Sequence, residues 1–209
     1  EEIQGIPTQE PAFGLQAIWA PAAQRDRAER LGYTIVEPSA VLATHLTEII
    51  MNFAAEIVSR QDVQVLVDNL KKQSAAVVDE LTPAILTLGE VQKVLQHLVR
   101  ERVSIRNLET IFETLADFGR RTKDVEVLTE YVRHALARQI CADYVDEEGR
   151  LLVVTLAPEL EQEILTAARK ADTAEYIPVA PERADAIAAR AVDALQPLVA
   201  SGHDPIVLT

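Results

Sequence analysis

The sequence predicts an α+β chain of several subdomains: part of an α/β unit at 1–37, a helical subdomain at 38–144 and an incomplete α/β unit at 145–209. Three observations point there. Apolar residues recur at helical spacing almost without a break from Pro38 to about Tyr144. On either side of that block, β-branched or apolar runs alternate with helical patterns. The hydrophobic share of 48% against 25% charged, over 209 residues, is enough to bury a core and too high for a disordered chain.

Residues 1–37 read as loop, short helix and strand. Pro7, Pro11 and Gly14 punctuate the start. Pro21 can open a helix over 22–31 that Gly32 ends, and Tyr33-Thr34-Ile35-Val36 has the composition of a short strand. A piece this small cannot hold a core alone. It is expected to complete an α/β unit whose other strands lie upstream of Glu1, and the opening Glu1-Glu2-Ile3, without Met or a basic leader, reads as the start of a fragment.

From Pro38 onward the pattern is helical. Val41, Leu42, Ile49, Ile50, Phe53 and Ile57 form the first stripe, and Val63, Leu66, Val67 and Leu70 the second. Val91, Val94, Leu95 and Leu98 follow Gly89 as a third. Ser104 can cap a fourth helix, whose buried face reads Leu108, Ile111, Phe112 and Leu115 and which stops at Gly119. Val125, Leu128, Val132 and Leu136 mark a fifth. Helices this short must bury their faces against one another as a bundle. After Tyr144, Asp146-Glu147-Glu148-Gly149 reads as a turn and 150–156 as a strand. Helices are expected from Pro158 to about Lys170 and from Pro181 to about Val199, with a last strand at 205–209.

Composition excludes several function classes. Twenty basic residues against 33 acidic ones leave a formal charge of −13, which repels phosphate backbones, so no nucleic-acid partner is expected. The longest stretch without a charge, 11–24, carries two prolines and is shorter than the roughly 20 apolar residues of a membrane span. Cys141 is the single cysteine, which excludes an internal disulfide, and at the end of an amphipathic helix it reads as a small buried hydrophobe. The seven glycines are scattered, so no phosphate-cradling loop exists, and the four histidines have no metal-ligand spacing. No metal, cofactor or catalytic residue is expected. His45 and Glu48, three apart on one helix, are the nearest thing to a catalytic pair and read as a surface hydrogen-bonding pair. The basic run Arg120-Arg121-Thr122-Lys123, and Arg100, Arg102 and Arg106, read as solvated loop and surface charge. Phe13 stands apart. It lies between Pro11 and Gly14, outside any periodic stripe, either filling a core or standing at the lip of an apolar groove as a recognition anchor.

Five stretches together resemble one family: Glu10-Pro11-Ala12-Phe13-Gly14-Leu15 with Trp19; Leu31 to Val36 followed by Ala43-Thr44-His45-Leu46; Ser59-Arg60-Gln61-Asp62-Val63 with Asp68-Asn69-Leu70; Leu88 to Leu95 with Val103 to Leu108; and Leu128 to Arg133 leading to Arg138-Gln139-Ile140. In order and spacing the chain resembles the FHIPEP family, the large export-gate subunits of type III secretion. The first two stretches favour the flagellar branch over the virulence-injectisome branch. The resemblance implies a non-enzymatic protein-export component, part of a soluble region on the cytoplasmic face of a bacterial inner membrane, below a multi-pass membrane part. It implies assembly into a nonameric ring, contacts with other export-apparatus proteins including the ATPase complex, and docking of export chaperone–substrate complexes. The family's chaperone-binding acidic residue, phenylalanine and threonine fall on Glu10, Phe13 and Thr44, with Val36 as a weaker candidate for the apolar wall. Many relatives carry Asp where this chain has Glu10. A purely structural ring element remains the alternative.

Overall fold

The computed structural model describes residues 3–168 and 179–208. Two compact units follow one another, Glu1–Tyr131 and Val132–Thr209.

The first unit opens on a hairpin absent from the sequence reading. Strands β1 (Ile6–Gln9) and β2 (Gln16–Trp19) pair antiparallel, Ile6 opposite Trp19 and Gln9 opposite Gln16. The Gln24 side chain extends this ladder, accepting from Gln4 N at 3.1 Å and donating to Gln4 O at 2.8 Å. A 3₁₀ turn (Ala22–Gln24) leads into helix α1 (Arg25–Arg30). The helix ends at Gly32 as expected, with φ +83°, a conformation that only glycine adopts freely. The strand expected at Tyr33–Val36 does not form. Those residues run without a partner strand, held by Tyr33 N donating to Ala28 O and by the Arg25–Glu37 ion pair at 2.7 Å.

Helix α2 (Pro38–Asn52), with Pro38 at its first turn, continues into the short α3 (Ala54–Ile57). Neither helix contains a fully buried residue. Val41, His45 and Glu48 are the half-buried positions of α2, while Leu42 (67% exposed), Ile49, Ile50, Phe53 and Ile57 face out. The periodicity correctly reported an apolar stripe but not which body covers it. The bundle proper is α4 (Arg60–Lys71), α5 (Ala75–Leu81), α6 (Leu88–Arg100) and α7 (Leu108–Phe118), followed by α8 (Val125–Ala135), which starts in this unit and ends in the next. The stripes of α4, α6 and α7 are buried as expected, through Val63, Val67 and Leu70; Val91, Val94, Leu95 and Leu98; and Ile111, Phe112 and Leu115. Helix α5, unmarked in the sequence reading, packs against α4 and α7 with Val78 and Leu81 buried. The cap of α7 is Asn107 rather than Ser104, its Oδ1 accepting from Thr110 N.

Capping boxes start α4 and α6. Ser59 exchanges hydrogen bonds with Asp62, and Thr87 with Glu90, whose carboxylate accepts from Thr87 N at 2.7 Å. The Thr87 amide foremost, then its hydroxyl, holds the Glu90 carboxyl below its ordinary 4.5. Because that value is depressed in the fold, the stabilisation is complete above the unfolded value and is lost as pH falls through the folded one. Unfolding free energy of the wild type is therefore expected to fall more steeply than that of E90Q between roughly pH 5 and pH 3. Parallel urea melts of the two proteins check this, and equal slopes would contradict it.

In the second unit Val132 and Leu136 are buried, as the fifth stripe predicts. Helix α9 (Ala137–Ala142) carries Cys141, which is exposed rather than buried. The 146–149 turn forms as expected, the Asp146 carboxylate accepting from Glu148 N and Arg150 N. The strand expected at 150–156 shrinks to β3 (Val154–Thr155), parallel to β4 (Val207–Leu208), with Val154 opposite Val207. Helices α10 (Pro158–Ala168) and α11 (Pro181–Ala200) are tied by a two-pronged Arg183–Glu163 ion pair. The expected helix end at Lys170 and strand end at Thr209 lie outside the described residues. No helix among the described residues is long and apolar enough to cross a membrane.

Candidate protein-docking surface

The tip of the hairpin presents an aromatic knob. Six residues, 10–15, join the strands, closed by Glu10 N donating to Leu15 O at 2.7 Å and by Gly14 N donating to Glu10 O at 2.8 Å. Gly14 takes the left-handed φ of +69° that lets the chain turn back. The Glu10 carboxylate braces the turn from inside: one oxygen accepts from Ala12 N at 2.9 Å, the other from Phe13 N at 2.7 Å. Charge-assisted bonds to two consecutive amides fix the backbone that carries Phe13, and the ring is left 63% exposed. Within this chain the ring therefore fills no core. Ile6 and Leu15 stand exposed on the same hairpin, and Trp19 is half-exposed at the end of β2.

The other two sequence-predicted residues flank the start of α2. Val36, 53% exposed, immediately precedes Glu37, the N-cap of that helix. Thr44 is exposed in its second turn. Glu10 and Phe13 are thus joined directly, while Val36 and Thr44 stand exposed before and within α2 of the same unit. Sequence reasoning missed Arg25, which bonds Glu29 at 3.3 Å and Glu37 at 2.7 Å. Glu37 follows Val36 directly, and the pair with Arg25 is exposed on both sides. A charge four residues from Glu29 on a predicted helix was the available signal.

Chemically the surface is an apolar contact area with little free polarity. The Glu10 oxygens, already engaged, keep lone pairs for a further donor. The His45–Glu48 pair does not form: His45 Nδ1 is buried with no hydrogen-bond partner among the described residues, and Glu48 turns instead to Arg102. No group of His, Cys, Asp and Glu suited to a metal occurs among the described residues. The basic loop is solvent-exposed as expected, and its charges also find partners. Arg120 pairs with Glu80, Arg121 lies 5.4 Å over the Phe118 ring, itself stacked on Tyr131, and Lys123 donates to Ile85 O. A cavity of about 180 Å³ in the second unit, between the 146–150 turn and 202–206, is lined by polar surface.

A family model described as the FHIPEP family matches residues 1–209, from one end of the chain to the other. The chain belongs to the FHIPEP family. Among FHIPEP relatives, the flagellar biosynthesis protein FlhA of Treponema pallidum is 53% identical over 163 residues, which are 77% of this chain and 23% of that protein. The chain spans about a quarter of the length of the curated relatives it matches. Solved structures agree. The CdsV protein of Chlamydia pneumoniae superposes with a TM-score of 0.74 at 25% identity, over 91% of this chain and 55% of that one. The nonameric SctV-C of EPEC superposes with a TM-score of 0.67 at 28% identity, over 90% of this chain and 57% of that one.

Proposed function

We propose that this chain is a docking part of a type III protein-export gate of the flagellar branch, which receives export chaperone–substrate complexes on the surface made by Phe13, Glu10, Val36 and Thr44. The observation that carries the reading is the ring of Phe13, held out into solvent by a turn whose carboxylate is used to brace it. Aromatic side chains presented on rigid backbone are the usual anchors of protein recognition. Membership of the FHIPEP family supports the export reading, and the 53% identity to a protein named for flagellar biosynthesis favours the flagellar branch over an injectisome homologue. The nonameric neighbour supports assembly into a ring, with other export-apparatus proteins as further partners. No cofactor and no chemistry enter this function. It needs weak, reversible binding, so a small anchor suits it.

Val36→Asp tests the extent of the surface. A buried carboxylate with no partner opposes docking of an apolar face. Affinity for a chaperone–cargo complex, measured by titration calorimetry, is expected to fall roughly three- to tenfold, with the melting midpoint unchanged because Val36 is half in solvent. Unchanged affinity would remove Val36 from the docking surface.

A further inference from the structure

We propose that Arg102 is a positioning residue, a latch that fixes the end of α2 to α6, and that its side chain is the reason a residue other than glycine occupies that backbone position. Helix α6 closes with two bonds past its C-cap Glu101: Arg102 N donates to Val99 O at 3.0 Å and Val103 N to Leu98 O at 2.9 Å. This closure requires a left-handed residue where Arg102 stands. Its φ is +59°, and among the described residues it is the single non-glycine residue with positive φ. Glycine would take this conformation without steric cost, whereas arginine is strained by its Cβ.

The side chain compensates. Arg102 Nη2 donates to Asn52 Oδ1 at 2.9 Å and lies 3.6 Å from Glu48 Oε2. Both acceptors belong to α2, one turn apart on one face. One guanidinium nitrogen serves both the amide oxygen and the carboxylate, from a side chain that stays charged at every working pH. Helices α2 and α3 need such a fastener because neither buries a residue fully. Their second attachment is also polar and also comes from α6, where Gln92 and Gln96 both donate to Val58 O, at 3.0 and 3.1 Å. Gln92 is held in turn by Arg60 Nε at 3.3 Å. Two fixed points, beyond α3 and at the end of α2, set the course of α2 relative to α6. That course places Thr44 and Val36, whatever the surface there binds.

Segment-resolved hydrogen–deuterium exchange of R102G, R102K and the double variant N52A/E48Q tests the latch. Glycine relieves the backbone at position 102 and removes the side chain, so the two effects fall on different segments. In R102G, amides of α6 and α7 are expected to keep or gain protection, while amides at 42–57 exchange roughly three- to tenfold faster. N52A/E48Q leaves the backbone at 102 untouched and is expected to accelerate the same segment alone, with R102K between R102G and wild type. The latch is overturned if exchange over 42–57 in R102G equals that of wild type. It is overturned equally if α6 and α7 accelerate as much as 42–57, or if N52A/E48Q leaves 42–57 unchanged.

Discussion

Phe112→Ala is expected to destabilise the first unit by about 3–5 kcal/mol and to lower its melting midpoint by on the order of 10–20 °C. Phe112 heads the largest side chains that are fully buried. It lies on α7, between Ile111 and Leu115 in the buried stripe, and α5 packs against the same helix. Truncation removes most of a ring and leaves a void that helices capped at both α4 and α6 cannot readily close. With typical stabilities of roughly 5–15 kcal/mol for a whole domain, the loss brings the unit near its threshold at body temperature. Thermal and urea unfolding followed by circular dichroism measure it. A loss below about 1 kcal/mol would mean that the centre of the core lies elsewhere.

That prediction rests on elements that were legible without coordinates. The stripes of α4, α6 and α7 each carry an apolar face of helical period, whereas the capping boxes at Ser59 and Thr87 were not read, and α6 begins at Leu88 rather than after Gly89. What escaped was structure decided by neighbours. The β1–β2 hairpin has no two-residue Asn-Gly or Asp-Gly signal, its turn being six residues long, and Pro7 sits inside β1 where proline argues against a strand. Tyr33–Val36 has the β-branched composition of a strand, yet among the described residues no strand pairs with it, and the Arg25–Glu37 ion pair follows it. The first stripe was real but points away from the bundle, because a period identifies a face and not its cover. Cys141 was misplaced for the same reason: burial of a lone cysteine is a matter of what packs over it. Around the docking surface, the resemblance singled out Glu10 and Phe13, but the work of the carboxylate in bracing its own turn needed the 2.9 and 2.7 Å bonds to the Ala12 and Phe13 amides.

Those bonds sharpen the choice between docking and a purely structural role. A structural role and a docking role differ in what loss of the ring does: the first lowers stability, the second lowers affinity alone. A ring 63% exposed contributes little to stability, so Phe13→Ala is expected to change the unfolding free energy by less than about 0.5 kcal/mol. A partner that covers the exposed part of the ring gains about 1–2 kcal/mol, which corresponds to roughly five- to thirtyfold in affinity.

The decisive measurement is calorimetric titration of wild type and Phe13→Ala with one purified export chaperone bound to its cargo, with a thermal melt of each protein alongside. Docking through this knob predicts that the variant binds roughly five- to thirtyfold more weakly while melting with the wild type. Binding as tight as that of the wild type, or a variant that unfolds several degrees early and binds in proportion to what remains folded, would contradict it.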